Sequence, residues 1–271
     1  MQTHARSGPL IYRHPTWTRI AHWFWAASLF FLLLTGLQIF NAHPALYPGD
    51  QSGFAYDNAF LRIGAQGNFA DPRGYLELGG RRIDTTGLLG VSGPAESRDF
   101  LAFPSWSTIP SRYSLATARV IHFFFAWILV ATLLVWLATT LLYRRLGNLV
   151  PTLSDLARLP ADIADHARLR FHHTRNYNVL QKLAYCGVLF VLLPVMIATG
   201  LAMSPAFDAL APWLPELFGG RQGARSVHFA AMALLVLFFV VHMAMILLAG
   251  PLNELRSIVT GWYRTDAGDP S

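Results

Sequence analysis

Thiols are almost missing from this chain of 271 residues: Cys186 is its single cysteine. An intramolecular disulfide, a thiolate metal cluster and covalent haem attachment through CxxCH each need at least two, so all three are excluded. Any cofactor must be held by other ligands. Charge is also scarce, with 13% Asp, Glu, Lys and Arg against 54% hydrophobic residues, and Lys182 is the only lysine. A water-soluble surface is hard to build from such a composition, which points to an integral membrane protein. The net charge of +6 comes almost entirely from arginines at the ends of apolar segments. No basic stripe lies on a polar domain, so no nucleic-acid partner is expected.

Long apolar runs are what the sequence has in abundance. Four of them, about 20–41, 117–143, 183–203 and 226–250, reach the roughly 20 residues that cross a bilayer. Backbone groups cannot bond to water in lipid, so each is expected to be a helix. The expected fold is an all-α membrane protein, residues 1–271 forming a single four-helix bundle with membrane lipid around it. The first run is longer than a signal-peptide core and has no clear small-x-small cleavage site behind its polar lead, so it reads as retained.

Charge then sets the expected orientation. With both termini cytoplasmic, the inner segments hold twelve basic against six acidic residues, and the outer segments nine of each. The positive-inside rule favours that arrangement, in a bacterial inner membrane. Residues 43–114 form a long external segment, too aromatic for a linker, which reads as an ordered cap or docking surface. Residues 146–178 form the cytoplasmic connection, with one amphipathic helix expected around "LSDLARLPADIADHARL". No internal repeat is apparent.

The last run, "RSVHFAAMALLVLFFVVHMAM", carries His228 and His242. Fourteen residues at ~100° and ~1.5 Å each place both imidazoles on one helix face, about 21 Å apart along the axis. His22 lies near the inner start of the first helix and His122 near the outer start of the second. Matching depths pairs His22 with His242 and His122 with His228. Two facing neutral imidazoles can ligate a porphyrin iron from both sides, so two pairs imply two haem b groups. A four-histidine zinc site is not expected across that separation.

Arginine repeats with the histidines. Arg19 precedes His22, Arg119 precedes His122 and Arg225 precedes His228, each by three residues. One turn nearer the surface, each is a candidate partner for a haem propionate. Single histidines or arginines at a membrane end are usually interfacial anchors; the repetition at two depths favours the haem reading. His4, His14, His43 and His166 fall in polar segments and read as solvated. His172 and His173 are either in a quinone pocket or interfacial. Gly36, Gly187 and Gly200 allow close approach of a macrocycle or a neighbouring helix, and Pro194 implies a kink.

The segments "RIAHWFWAASLFFLLLTG", "RVIHFFFAW", "NYNVLQKLAY" and "RSVHFAAMALLVLFFVVH" resemble the four-helix di-haem cytochrome b subunits of nickel-iron hydrogenase and formate dehydrogenase, in the wider cytochrome b561-like superfamily. "FGGRQGARSVHF" and "TGLAMSP" are most similar to the thiosulfate-reductase-like cytochrome b branch. The resemblance implies the same histidine pairing, and a periplasmic molybdopterin oxidoreductase of the sulfite oxidase type as partner. It also implies menaquinone or ubiquinone beside the inner haem, near Asn178, Gln181 and Lys182. Those three could equally cap and anchor a helix. The long external segment departs from the hydrogenase and formate dehydrogenase members.

The expected function is therefore electron transfer between a periplasmic redox subunit and the quinone pool, as the membrane subunit of a respiratory oxidoreductase complex. A stand-alone b561-type oxidoreductase using a small reductant or superoxide, and a haem-free transport or scaffold protein, are the alternatives.

Overall fold

The computed structural model describes residues 7–52, 58–68, 70–171, 173–174 and 176–267. Four helices in it are long and apolar enough to cross a membrane: α1 (Thr16–Phe40), α2 (Leu115–Leu142), the span Val179–Ala202, and α8 (Arg221–Ala249). Few of their side chains are fully buried, and Phe24, Phe124, Leu134 and Phe239 are among the exposed ones. An apolar exterior of this kind is what a helix in hydrocarbon requires. The amphipathic helix expected in the connection is α3 (Leu153–Ala167).

The third span consists of α4 (Val179–Gly187), a π-turn at Val188–Leu192, and α5 (Leu193–Ala202). The break belongs to Pro194, which has no N–H and whose ring crowds the carbonyl four residues back. A wider turn relieves that crowding.

The chain divides into two units. The first, here the terminal unit, comprises Met1–Trp25, Ala131–Pro194 and Ala233–Ser271; the second, the cap unit, comprises Ala26–Val130 and Val195–Met232. In the terminal unit β1 (Ser7–Tyr12) pairs antiparallel with β6 (Trp262–Asp266), matching Ile11 to Tyr263 and Tyr12 to Trp262. The two ends of the protein are therefore joined by a sheet. Gly250, at φ +117°, turns the chain from α8 into α9 (Pro251–Thr260), whose first residue is a proline.

The expected four-helix fold holds, and the cap unit adds to it: the segment between α1 and α2 is rich in β-structure. Strands β2 (Ala45–Leu46), β3 (Leu61–Gly67), β4 (Pro72–Leu78) and β5 (Arg81–Asp84) form one antiparallel sheet in that order. Gly79 and Gly80 supply the two positive-φ residues of the β4 to β5 hairpin, the conformation a two-residue turn needs. Leu46 and Ile63 pack with Phe40 and Ala102 in a buried cluster that Phe229 of α8 also joins. Two short helices, α6 (Pro205–Leu210) and α7 (Trp213–Glu216), lie between α5 and α8.

Two polar side chains at the end of α1 fasten this segment. Gln38, fully buried, donates to the Pro110 and Arg112 carbonyls at 2.8 and 3.0 Å. Asn41 donates to the Phe103 carbonyl and accepts from the Phe103 N–H, at 3.0 and 2.7 Å. Gln38→Leu strands two carbonyls and is expected to cost about 1–3 kcal/mol, read as a lower thermal midpoint in detergent.

Candidate functional site

His122 is in the second turn of α2 and His228 in the second turn of α8, both in the cap unit. The two rings lie near each other. Each ring is oriented by a threonine from another span: Thr35 Oγ1 lies 2.9 Å from His122 Nδ1, and Thr199 Oγ1 2.9 Å from His228 Nδ1. Both threonines are fully buried. A glycine follows each of them, and a Cβ at Gly36 or Gly200 would lie 3.5 or 3.6 Å from Cε1 of the corresponding ring.

Sequence reading noted the glycines and missed the threonines. The signal was present as Thr-Gly-Leu at 35–37 and again at 199–201, in step with Arg-x-x-His at 119–122 and 225–228. The two motif pairs share one local arrangement, a threonine on one span against a histidine on another. It is hard to see because 87 residues separate Thr35 from His122, but only 29 separate Thr199 from His228.

The two Arg-x-x-His arginines of this unit lie beside aromatic rings. Arg225 has Phe40 at 5.3 Å and donates through Nη2 to the His43 carbonyl. Arg119, exposed, lies 5.7 Å from the Phe123 ring.

His22 and His242 both belong to the terminal unit and also lie near each other. Phe238 stacks on His242 at 5.5 Å, and Trp23 meets His22 edge-on at 5.3 Å. Nδ1 of His22 is buried without a hydrogen-bond partner among the described residues. Arg19 donates to the Val259 carbonyl at 2.6 Å and to Thr16 Oγ1 at 3.0 Å, which gives its guanidinium a structural role at the end of α9.

The polar residues around this second pair differ from expectation. His14 is not solvated: burial, then the charges of Arg13, His22 and Arg19, hold its pKa down at about 4, so it is neutral near pH 7. Its Nδ1 lies 3.3 Å from the Tyr177 hydroxyl. Arg13 lies between the rings of Tyr177 and Tyr263, 4.5 and 4.3 Å from their centroids. Burial raises both phenol pKa values. His166 bonds the Asp162 carbonyl at 2.7 Å, and exposed His43 contacts the Tyr47 hydroxyl at 3.0 Å. His173 is tied to β6 through Tyr263 and Asp266, an anchoring role. His4 and His172 lie outside the described residues.

Asn178, Gln181 and Lys182 come together at the start of α4, but their polar atoms are largely engaged. Asn178 is the N-cap: its side chain accepts from the Gln181 N–H at 2.8 Å, and Gln181 Oε1 accepts from the Asn178 N–H at 3.2 Å. This reciprocal capping satisfies two helix-end donors. Lys182, buried, pairs with Asp155 at 2.8 Å. That ammonium, then the Thr152 N–H and hydroxyl, hold the Asp155 pKa at about 2.

The donor chemistry of the two histidine pairs suits a haem. A haem iron needs an imidazole nitrogen from each side and apolar walls around the ring. Each pair offers two imidazoles from different spans amid aromatic and aliphatic side chains, with glycines beside the cap-unit rings. His22 and His242 would hold one group, His122 and His228 the other.

Two comparisons show which known proteins the chain is similar to. The chain is 27% identical over 237 residues to a protein of Azospira oryzae named as a protein-methionine-sulfoxide reductase subunit, YedZ1, covering 87% of this chain and 90% of that one. Residues 157–261, which include His228 and His242, match the family described as prokaryotic cytochrome b561, and it is to that family that this stretch of the chain is similar.

Proposed function

We propose that this chain is the di-haem b membrane subunit of an oxidoreductase complex, passing electrons between a periplasmic redox partner and the quinone pool. The observation that carries the reading is the placement of four histidines, His22 and His242 in one unit and His122 and His228 in the other, with the two members of each set on different spans. When bound, a haem with two imidazole ligands supplies one-electron transfer without an open position for substrate chemistry at iron. His22 with His242, and His122 with His228, hold the two irons. Arg119 and Arg225 neutralise propionates, with Arg19 doing so through whatever its contacts to Val259 and Thr16 leave available.

The cap offers the outer surface for the partner. The name of the Azospira oryzae relative supports a reductase complex, and the resemblance of the chain favours a molybdopterin oxidoreductase of the sulfite oxidase type. The excess of positive charge in the segments assigned inside, and the β1 to β6 pairing of the ends, support a multi-pass topology with both termini cytoplasmic. Quinone reacts at that inner end, near the start of α4, where the Gln181 amide nitrogen is the donor that the capping contacts do not use.

The test is a dithionite-reduced minus oxidised spectrum of the purified protein with haem counted per chain, followed by mixing with a quinol. Two b-type haems reduced by quinol are expected. A colourless protein would overturn the reading; a coloured one inert to quinol would remove its quinone half.

A further inference from the structure

The threonine contacts determine more than ring orientation. A hydroxyl has one proton, and Thr35 directs its own to the Phe31 carbonyl at 2.6 Å, with Leu32 O at 3.3 Å. Thr199 does the same, to Val195 O at 2.7 Å and Met196 O at 3.2 Å. Neither hydroxyl has a proton left for the histidine. Each must accept, so Nδ1 of His122 and of His228 carries the hydrogen. Each neutral ring therefore presents a bare Nε2 lone pair.

We propose that Thr35 and Thr199 are positioning residues that fix the Nδ1–H tautomer of His122 and His228 and raise the electron density of the ligating nitrogens. The proposal rests on the haem reading above. An acceptor on the distal N–H of a ligating imidazole makes the ring a stronger donor, which favours ferric over ferrous iron and lowers the midpoint potential of that haem. The other pair serves as an internal control, since His22 Nδ1 has no such partner among the described residues.

The test uses full-length protein with Thr35→Val and Thr199→Val, which keep the shape and remove the hydroxyl, and Thr35→Ser and Thr199→Ser, which keep it. Potentiometric titration gives two reduction waves, and the wave missing from His228→Ala identifies the haem in question. In the valine variants that wave is expected to move to higher potential while the other stays, and serine is expected to restore it. The valine variants leave Nε2 of each ring untouched, so the haem is expected to stay bound. Loss of this haem in the valine variant with retention in the serine variant would also support the hydroxyl's role. An unmoved wave, an equal shift of both waves, or haem loss in both variants would overturn the proposal. Colourless wild-type protein would instead refute the haem reading itself, before any threonine is changed.

Discussion

His228→Ala protein is expected to purify with one haem per chain instead of two. The methyl group of alanine has no ligating nitrogen, so a haem at this pair would have to be held by His122 alone. Because His228 and His242 belong to different units, the His22 and His242 pair should retain its group and its spectrum. His122→Ala should reproduce the same loss, whereas His22→Ala and His242→Ala should remove the other haem. Exogenous imidazole should partly restore each missing signal, since the deleted ring leaves room for it. Equal loss of both haems in every variant would mean the histidines act through folding and not as separate pairs. Full retention of two haems in any of the four would remove that residue from the ligand set.

The second large effect separates two roles for Asn178. Asn178→Ala removes the cap of α4 and is expected to cost about 1 kcal/mol, within a range of about 0.5–2 kcal/mol for such caps. Asn178→Ser keeps a capping oxygen but has no amide. If Asn178 only caps, serine restores both the thermal midpoint and quinol-driven haem reduction; this is the expected result, given that its side-chain oxygen already accepts from the Gln181 N–H. If its amide binds quinone, serine restores the midpoint while reduction stays slow. Gln181→Ala in a chain capped by Asn178 is then the sharper probe of the quinone reading, with slowed reduction by quinol expected.

The spans and the register of the histidines were legible because they are local and periodic. A run of apolar residues reports the solvent its helix faces, and a fixed rise of ~1.5 Å per residue converts sequence distance into depth. The Gly79-Gly80 turn was legible in principle too, since two adjacent glycines between alternating residues signal a hairpin. That signal was outweighed by the short strands, β5 having only four residues, within a segment otherwise read as a cap.

The amino-acid sequence by itself determined the four spans, the charge asymmetry of their ends and the presence of two histidines on one face of α8. Each of these is a property of neighbouring residues along one helix. Only the tertiary structure decided that Thr35 and Thr199 orient His122 and His228, that His14 is half-buried and neutral, that Lys182 answers Asp155, and that β1 closes on β6. Those outcomes depend on contacts between segments far apart in the chain. A threonine in a span bonds its own helix by default, so its second hydrogen bond is invisible until another helix places a ring beside it.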